Sequence, residues 1–447
     1  MTYTPLTESE RFSMLATIGV PDIEALFSDV PPALRAPAID LPASLSELEL
    51  RNALTALAAS NVGAGLTCFA GFGSYDHFIP CAVDALATRS EFVTSYTPYQ
   101  AEISQGNLQA TYEYQTMIAG LCGCEIANAS LYDGATGLFE AVMMAVRVSK
   151  RRRRVVLDDA LHPHALEVVR TLSAHLDVER VCVPYREGQS DLAALAESID
   201  DDTAAVVTAS PNVFGAVTDL CGLADAAHAK GALLVCATHP LSLGALQPPG
   251  AMGADIVCGE GQPLGLPMSY GGPYLGFLAC RSQYARSIPG RLVGATVDSR
   301  NRRAFCLALQ TREQHIRREK ATSNICTNQA LCALRAAVYL ALMGESGIRA
   351  VSERCISLSH YARETLRTTP GVSVRWEYPC FNEFVVHTER PAVDVLNALC
   401  ERGVLGGIDL FSVGHGDGHA LLIAVTEKRS TGEIDQLAGA LAAAHTS

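Results

Sequence analysis

Side-chain amines are scarce in this sequence. Lys150, Lys230, Lys320 and Lys428 are its only lysines, and none falls in residues 255–276, DIVCGEGQPLGLPMSYGGPYLG. That stretch reads as an apolar run, a tight turn and a Gly-rich return. Gln262 and Pro263 sit at the turn, where an amide cannot form an imine and proline offers no side-chain nucleophile. A second chemical candidate is YDGATG at 132–137, placed between an expected strand and an expected helix. Backbone N–H groups of Gly134 and Ala135, with the Thr136 hydroxyl, could cradle an anion there; the same glycines could equally serve the turn alone. A third is residues 95–106, where Tyr96, Tyr99 and Gln100 crowd together around a proline. Such density reads as an active-site wall reaching across a subunit interface; the plainer reading is a surface loop with two half-buried tyrosines. Residues 61–74, with Gly63, Gly65, Gly71 and Gly73, read as a second wall or as a connector.

These segments need a scaffold. From about residue 110, short apolar runs at 129–132, 155–157, 181–183, 204–209 and 233–237 predict strands. Segments 112–122, 135–148 and 220–230 predict helices, the last closed by Gly231. Repeated strand–helix–strand units predict an α/β fold with a mostly parallel sheet covered on both faces. Before it, residues 1–60 predict a helical arm, with helices at 9–18 and 44–59. After Gly290 the pattern predicts loop, then a helix at 328–343 stopped by Gly344. The remainder alternates helix and strand: helices at 348–368 and 392–402, and strands at 372–375, 383–387 and 421–425. Ser430 and Glu433 have capping-box spacing for a last helix. The expected divisions are an arm at 1–60, a large α/β domain at 61–330 and a smaller α+β domain at 331–447.

Composition excludes several partners. A net charge of −13 argues against nucleic acid and anionic lipid surfaces. The basic run at 150–154 reads as a solvated helix end rather than a phosphate site. The first residues lack a basic-then-apolar order, so no secretory signal is expected. No apolar stretch reaches the roughly 20 residues of a membrane-spanning helix. Cys182, Cys236 and Cys258 lie inside apolar runs and read as buried thiols in a reducing cytoplasm. Cys122 and Cys124, and His162 and His164 around Pro163, lack ligand spacing, so no metal is expected.

An enzyme of this architecture that uses pyridoxal phosphate (PLP), the aspartate-aminotransferase fold type I, places an Asp at the end of the strand at 233–237, where it pairs with the pyridinium nitrogen. The chain has Cys236, Ala237, Thr238, His239 and Pro240 there. The Schiff-base lysine of such an enzyme falls near Gln262 and Pro263. Two of three elements that make PLP reactive are therefore absent, while the Gly134–Thr136 cradle remains. Lys320, in RREKATSN, is the available rescue amine, yet with Arg317 and Arg318 it reads more naturally as a charge cluster.

Longer motifs carry a specific likeness. They are YTPLTESERFSMLATIGV, TPYQAEISQGNLQATYEYQTMI, ANASLYDGAT, SPNVFGAVTDL, GEGQPLGLPMSYGGPYLGF, REKATSNICTNQAL and LLIAVTEKRSTGEID. In these the chain resembles the alpha-type chain, subunit 1, of the two-subunit glycine decarboxylase, the P-protein family of the glycine cleavage system. The resemblance implies a complex of two homologous chains, α2β2, in which the beta-type partner carries the PLP lysine and the pyridinium Asp. It implies that the complex decarboxylates glycine and passes the aminomethyl group to the lipoyl arm of the H-protein. By the same likeness Tyr96, Tyr99 and Gln100 belong on the substrate side of the partner's pocket. Ser323, Asn324 and Thr327 belong near the partner's cofactor phosphate. Two other readings stay open: an independent PLP lyase or aminotransferase using Lys320, and a non-enzymatic scaffold for the lipoyl carrier.

Overall fold

The computed structural model describes residues 6–35, 40–150, 152–325 and 327–446. Tyr3, Thr4 and Pro5 of the first motif, Arg151 of the basic run and Cys326 lie outside the described residues. The chain divides into two compact units, Met1–Val62 and Gly63–Ser447.

The first unit holds helices α1 (Glu8–Ile18) and α2 (Glu47–Ala59). Both start on capping boxes. Thr7 Oγ1 accepts from the Glu10 N–H at 3.3 Å while Glu10 Oε2 accepts from the Thr7 N–H at 2.7 Å; Ser46 and Glu49 repeat the pattern. Reciprocal satisfaction of the free donors at a helix start fixes where each begins.

In the second unit, seven strands form one sheet: β1 (Ile126–Ala127), β2 (Arg154–Asp158), β3 (Glu179–Val183), β4 (Thr203–Ala209), β5 (Leu233–Ala237), β6 (Ile256–Glu260) and β7 (Gly276–Cys280). Their order is β1-β7-β6-β5-β4-β2-β3, parallel from β6 through β3, with β7 antiparallel to both of its neighbours. Alternate side chains serve opposite faces. Val156, Val206, Leu234 and Val257 pack on one side, with Tyr114 and Ile118 of α3 (Gln105–Cys122). Val155, Val207, Val235 and Ile256 pack on the other, with Leu138, Val142 and Ala145 of α4 (Gly134–Ser149) and Val169 of α5 (Pro163–Leu172). Covering both faces is why these strands read as unbroken apolar runs.

The C-terminal part builds an antiparallel sheet from β10 (Val372–Val374), β11 (Glu383–Thr388), β12 (Ile408–Asp409) and β13 (Ala420–Ala424), in the order β10-β11-β13-β12. The last helix, Thr431–Thr446, starts on the expected Ser430–Glu433 capping box, with the Ser430 N–H donating to Glu433 Oε2 at 2.7 Å.

The structure corrects several expectations. No strand spans 129–132; Leu131 makes a single bridge to Gly276, and the paired strand is Ile126–Ala127. The loop expected after Gly290 contains a hairpin, β8 (Leu292–Val297) and β9 (Arg303–Ala308). Gly344 breaks the helix as expected: at φ 58° and ψ −175° it is non-helical and separates two helices within the span Ala330–Arg367, but the second starts directly after it rather than at residue 348. Taken as one run, residues 330–367 are long and apolar enough by length and composition to cross a bilayer, but Gly344 divides the run and Cys332, Ala336, Cys355 and Leu366 within it are buried. Cys236 and Cys258 are buried as expected, but Cys182 is exposed because β3 lies at the sheet edge. In the basic run, Arg152 Nη1 donates to the Lys230 carbonyl at 2.6 Å and Arg154 pairs with Asp200.

Candidate functional site

The C-terminal ends of β4, β5 and β6 bring Ala209, Ala237, Gly259 and Glu260 to the floor of a cavity of about 330 Å³. The start of α4 supplies Asp133, Gly134 and Ala135, the start of α5 supplies His162, His164 and Ala165, and residues 72–75 cross the opening as a strap. Glu383, the first residue of β11, reaches in from the other sheet. This is where open α/β sheets ordinarily hold ligands.

Two N–H groups of the expected anion cradle, those of Gly134 and Thr136, are already bonded within the chain. Asp133 Oδ1 accepts from the Thr136 N–H at 2.7 Å, so it caps α4. Glu260 Oε2 accepts from the Gly134 N–H at 2.9 Å. Its Oε1 accepts from Gln262 N–H and Leu275 N–H, each at 2.9 Å. A Cβ on Gly134 would stand 2.9 Å from Glu260 N and Cβ, so glycine is what lets helix start and strand end come this close. Burial outweighs the three backbone donors and pushes the Glu260 carboxyl up to about 7.

Glu383 is held in the same way by the strap. Its Oε1 accepts from the Phe72 N–H and its Oε2 from the Tyr75 hydroxyl, both at 2.7 Å. Burial pushes it, too, up to about 7, and burial together with this carboxyl drives the Tyr75 phenol well above its ordinary value. His162 lies 4.2 Å from the Phe72 ring, with Nε2 3.1 Å from the Phe72 carbonyl, and burial lowers it to about 4. His239 is likewise held neutral by burial; its Nδ1 accepts from the Leu241 N–H at 3.2 Å.

Gln262 is buried and its amide is fully used. Oε1 accepts from the Tyr75 N–H at 2.9 Å, while Nε2 donates to the carbonyls of Tyr75 and Leu266 at 3.0 and 2.8 Å. Where a fold-type-I enzyme would present an amine, this chain has a clamp for its strap, and Pro263 is buried beside it. None of the four lysines lines the cavity. Ala237 offers a methyl group where a pyridinium partner would stand, and the Gly134 and Thr136 N–H groups are occupied by carboxylates. The residues present do not fit PLP.

The six residues expected to serve a partner lie elsewhere. Tyr99 accepts from Arg291 Nη2 at 3.1 Å, with the guanidinium 5.4 Å from its ring centre. Arg291 Nη1 donates to Asn328 Oδ1 at 3.2 Å. Ser323 Oγ donates to the buried Glu140 at 2.8 Å and shares a small crevice with Thr327, Arg291 and Arg312. Tyr99, Ser323 and Thr327 therefore gather around Arg291. Tyr96, Gln100 and Asn324 are exposed and do not join that crevice. Lys320 is exposed on a short turn at Arg318–Lys320.

Residues 1–441 match the family described as Glycine cleavage system P-protein. The chain belongs to that family. It is 49% identical over 450 residues to the probable glycine dehydrogenase (decarboxylating) subunit 1 of Desulforamulus reducens, covering 99% of this chain and 100% of the relative. To the protein of the same description from Geotalea uraniireducens it is 48% identical, covering 98% of each. A crystal structure of glycine decarboxylase (P-protein) of the glycine cleavage system, in inhibitor-bound form, superposes with a TM-score of 0.91 at 44% identity, over 99% of this chain and 100% of that one. The sphingosine-1-phosphate lyase of Burkholderia pseudomallei, at 16% identity and a TM-score of 0.66 over 93% of this chain and 94% of that one, shares the fold alone. The PLP-dependent transferase architecture expected from the sequence is thus the observed one, and this P-protein chain is a subunit of a decarboxylating glycine dehydrogenase.

Sequence reasoning missed Glu260, Glu383 and Tyr75 and gave His162 no role, while Phe72, Gly73 and Ser74 of the stretch 61–74, read as a wall or a connector, do line the cavity. One signal was available. Glu260 closes the apolar run IVCGE between two glycines, and a carboxylate ending a buried strand needs donors aimed at it.

Proposed function

We propose that this chain is the P-protein subunit that holds no PLP, and that it completes the pocket of a homologous partner that does. Bound in that partner, PLP would supply the electron sink for losing the carboxylate of glycine. This chain would contribute the face around Tyr96, Tyr99, Gln100, Ser323, Asn324 and Thr327. The aminomethyl group would leave on the lipoyl arm of the H-protein, within a cytoplasmic α2β2 assembly. The observation that carries the reading is that no lysine lines the cavity; Glu260 and Asp133 accepting from the Gly134 and Thr136 N–H groups of the expected cradle supports it.

Visible absorbance after adding PLP tests it, first with this chain alone and then with the lysine-bearing partner. No cofactor band should form alone, and one should form with the partner, together with a mass matching two copies of each chain. PLP fixed to Lys320 by borohydride in the chain alone would overturn the reading in favour of an independent lyase.

A further inference from the structure

We propose that His77, Cys355 and Glu427 form a binding site for one divalent transition-metal ion, zinc by the chemistry of its donors. None of the three lines the cavity described above. The inference therefore goes beyond the subunit's role toward its partner and stands whether or not that partner carries the cofactor.

The donor set is the first argument. One imidazole, one thiol and one carboxyl group bring their ligand atoms within 4.8 Å of one another. They come from distant parts of the chain: His77 just past the strap, Cys355 in the helix after Gly344, and Glu427 just after β13. Among the described residues this is the one group of three or more such side chains gathered so closely. Nitrogen, sulfur and oxygen donors together suit zinc, whereas calcium and magnesium take oxygen. A thiolate and a carboxylate would also cancel the two charges of the ion, as burial demands.

Spacing is the second. In tetrahedral zinc, bonds of about 2.3 Å to sulfur and about 2.1 Å to oxygen set those two donor atoms about 3.6 Å apart. Cys355 Sγ stands 3.6 Å from Glu427 Oε2. The other carboxylate oxygen, Oε1, is already oriented by the Phe78 N–H at 2.7 Å, the kind of outer bond that steadies a metal ligand. His77 Nδ1 lies 2.6 Å from Oε2, at hydrogen-bond distance. An ion between them would need about 3.4 Å, so the ring must draw back by about 0.8 Å.

Unmet polar groups are the third. Cys355 is fully buried, and Tyr339 is 1% exposed. Tyr339 Oη has no hydrogen-bond partner among the described residues, and neither does the buried Nε2 of His77. Burial, and then the neighbouring charges of Glu427 and Cys355, hold the Tyr339 phenol above its ordinary value, which marks it as a neighbour of the same two ligands. Buried polar atoms without partners call for an explanation such as an ion or a water. The fourth bond of the ion would come from that hydroxyl or from a water beside it. On binding, the Cys355 thiol gives up its proton to solvent and its sulfur lone pair to the metal.

Titration of the full chain with cobalt and with zinc tests this, after stripping with a chelator and with the thiols kept reduced. One cobalt ion per chain should bind and give a thiolate-to-cobalt charge-transfer absorption. Zinc should displace it and raise the melting temperature, while calcium and magnesium should do neither. Cys355→Ser should abolish the absorption and weaken zinc by about a hundredfold or more, because loss of a partner one bond removed from a metal already costs about 10–100-fold. His77→Gln can keep a hydrogen bond to Glu427 and should weaken zinc at least about tenfold; it carries the test if Cys355→Ser fails to fold. Absence of saturable binding at one ion per chain would overturn the proposal and leave a hydrogen-bonded His77–Glu427 pair. So would an absorption that survives Cys355→Ser, which would assign the ion to another of the 15 cysteines, or calcium or magnesium stabilising the chain as well as zinc does.

Discussion

The inner cavity and the outer face around Arg291 treat polar groups in opposite ways. Inside, Gln262 uses every hydrogen-bonding atom of its amide, Glu260 takes three backbone donors, and Glu383 ties the strap to the small sheet. Outside, Tyr96 is 85% and Tyr99 51% exposed, and Gln100 and Asn324 are exposed as well. Burying a polar group without a partner costs roughly 1–3 kcal/mol, whereas leaving it in water costs almost nothing. The cavity therefore had to be completed by this chain's own groups, and the outer face was free to keep groups for something else. A region so fully bonded should fail through stability; a region so open should fail through the activity of the assembly.

The harshest way to break the cavity is Gly215→Ala. Gly215 has φ +83°, and a Cβ there would collide with the backbone carbonyl of Glu383. Left-handed strain and a backbone clash add, so the loss should be about 3 kcal/mol or more in urea unfolding. A near-native midpoint would mean that the join between Glu383 and the rest of the cavity is loose.

Next in size is a pH effect. Glu260 and Glu383 are each pushed up to about 7 in the folded chain, against about 4.3 for an exposed glutamate. Between those values the folded state keeps a proton that the unfolded state has lost, so these groups make stability fall as pH rises, with the full loss reached above pH 7. Relative to the native chain, Glu383→Gln should gain stability from pH 4.5 to 8, on the order of 2–3 kcal/mol. His162 is lowered to about 4 by burial and gives an opposite slope; it is present in both chains, so the difference isolates the glutamate. A difference that does not change with pH would show that Glu383 ionises normally.

Gln262→Ala sharpens the comparison with a smaller loss. It removes three hydrogen bonds that hold Tyr75 and Leu266, and about 2 kcal/mol should go with them. No lysine function is lost with it, so the complex should keep its turnover wherever the variant stays folded. A collapse of turnover in a folded complex would give this position a chemical role.

How far the sequence revealed these two regions follows from how local each signal was. Strands at 154–158, 203–209 and 233–237 were visible because covering on both faces makes the run itself apolar. The hairpin at 292–297 and 303–308 was hidden because its outer half is exposed and reads as loop. Gly344 was legible as a stop since glycine ends many helices, and its non-helical backbone is the break; that a second helix follows directly depends on tertiary packing, which local spacing does not report. The missing amine at Gln262 was legible from a single segment. Glu383 was not, because it joins Phe72 and Tyr75 across more than three hundred residues of chain, and no pattern of local spacing reports such a meeting. Tyr99 stood out in a polar, aromatic loop and Ser323 came from the family likeness, and their meeting place at Arg291 came only from the fold.

On the outer face the expected stability effects become small. Tyr99→Phe deletes the oxygen that accepts from Arg291 at 3.1 Å but keeps the ring under the guanidinium. Unfolding of the isolated chain should shift by about 1 kcal/mol or less, while turnover of the assembled complex should fall about tenfold if the ring and hydroxyl position a shared pocket. Normal turnover would remove Tyr99 from that pocket.

Tyr96→Phe is the finest test, because its side chain stands largely in water. A hydroxyl already solvated contributes almost nothing to folding, so the melting temperature of the isolated chain should not move. Any effect must then come from a contact made in the complex. Turnover about threefold lower, with the assembled mass unchanged, would be the signature of one modest hydrogen bond gained on assembly. If turnover and mass both stay native, Tyr96 is an ordinary surface tyrosine and the shared face contracts to Tyr99, Ser323 and Thr327 around Arg291. If the mass alone falls, the residue belongs to the subunit contact and not to the pocket.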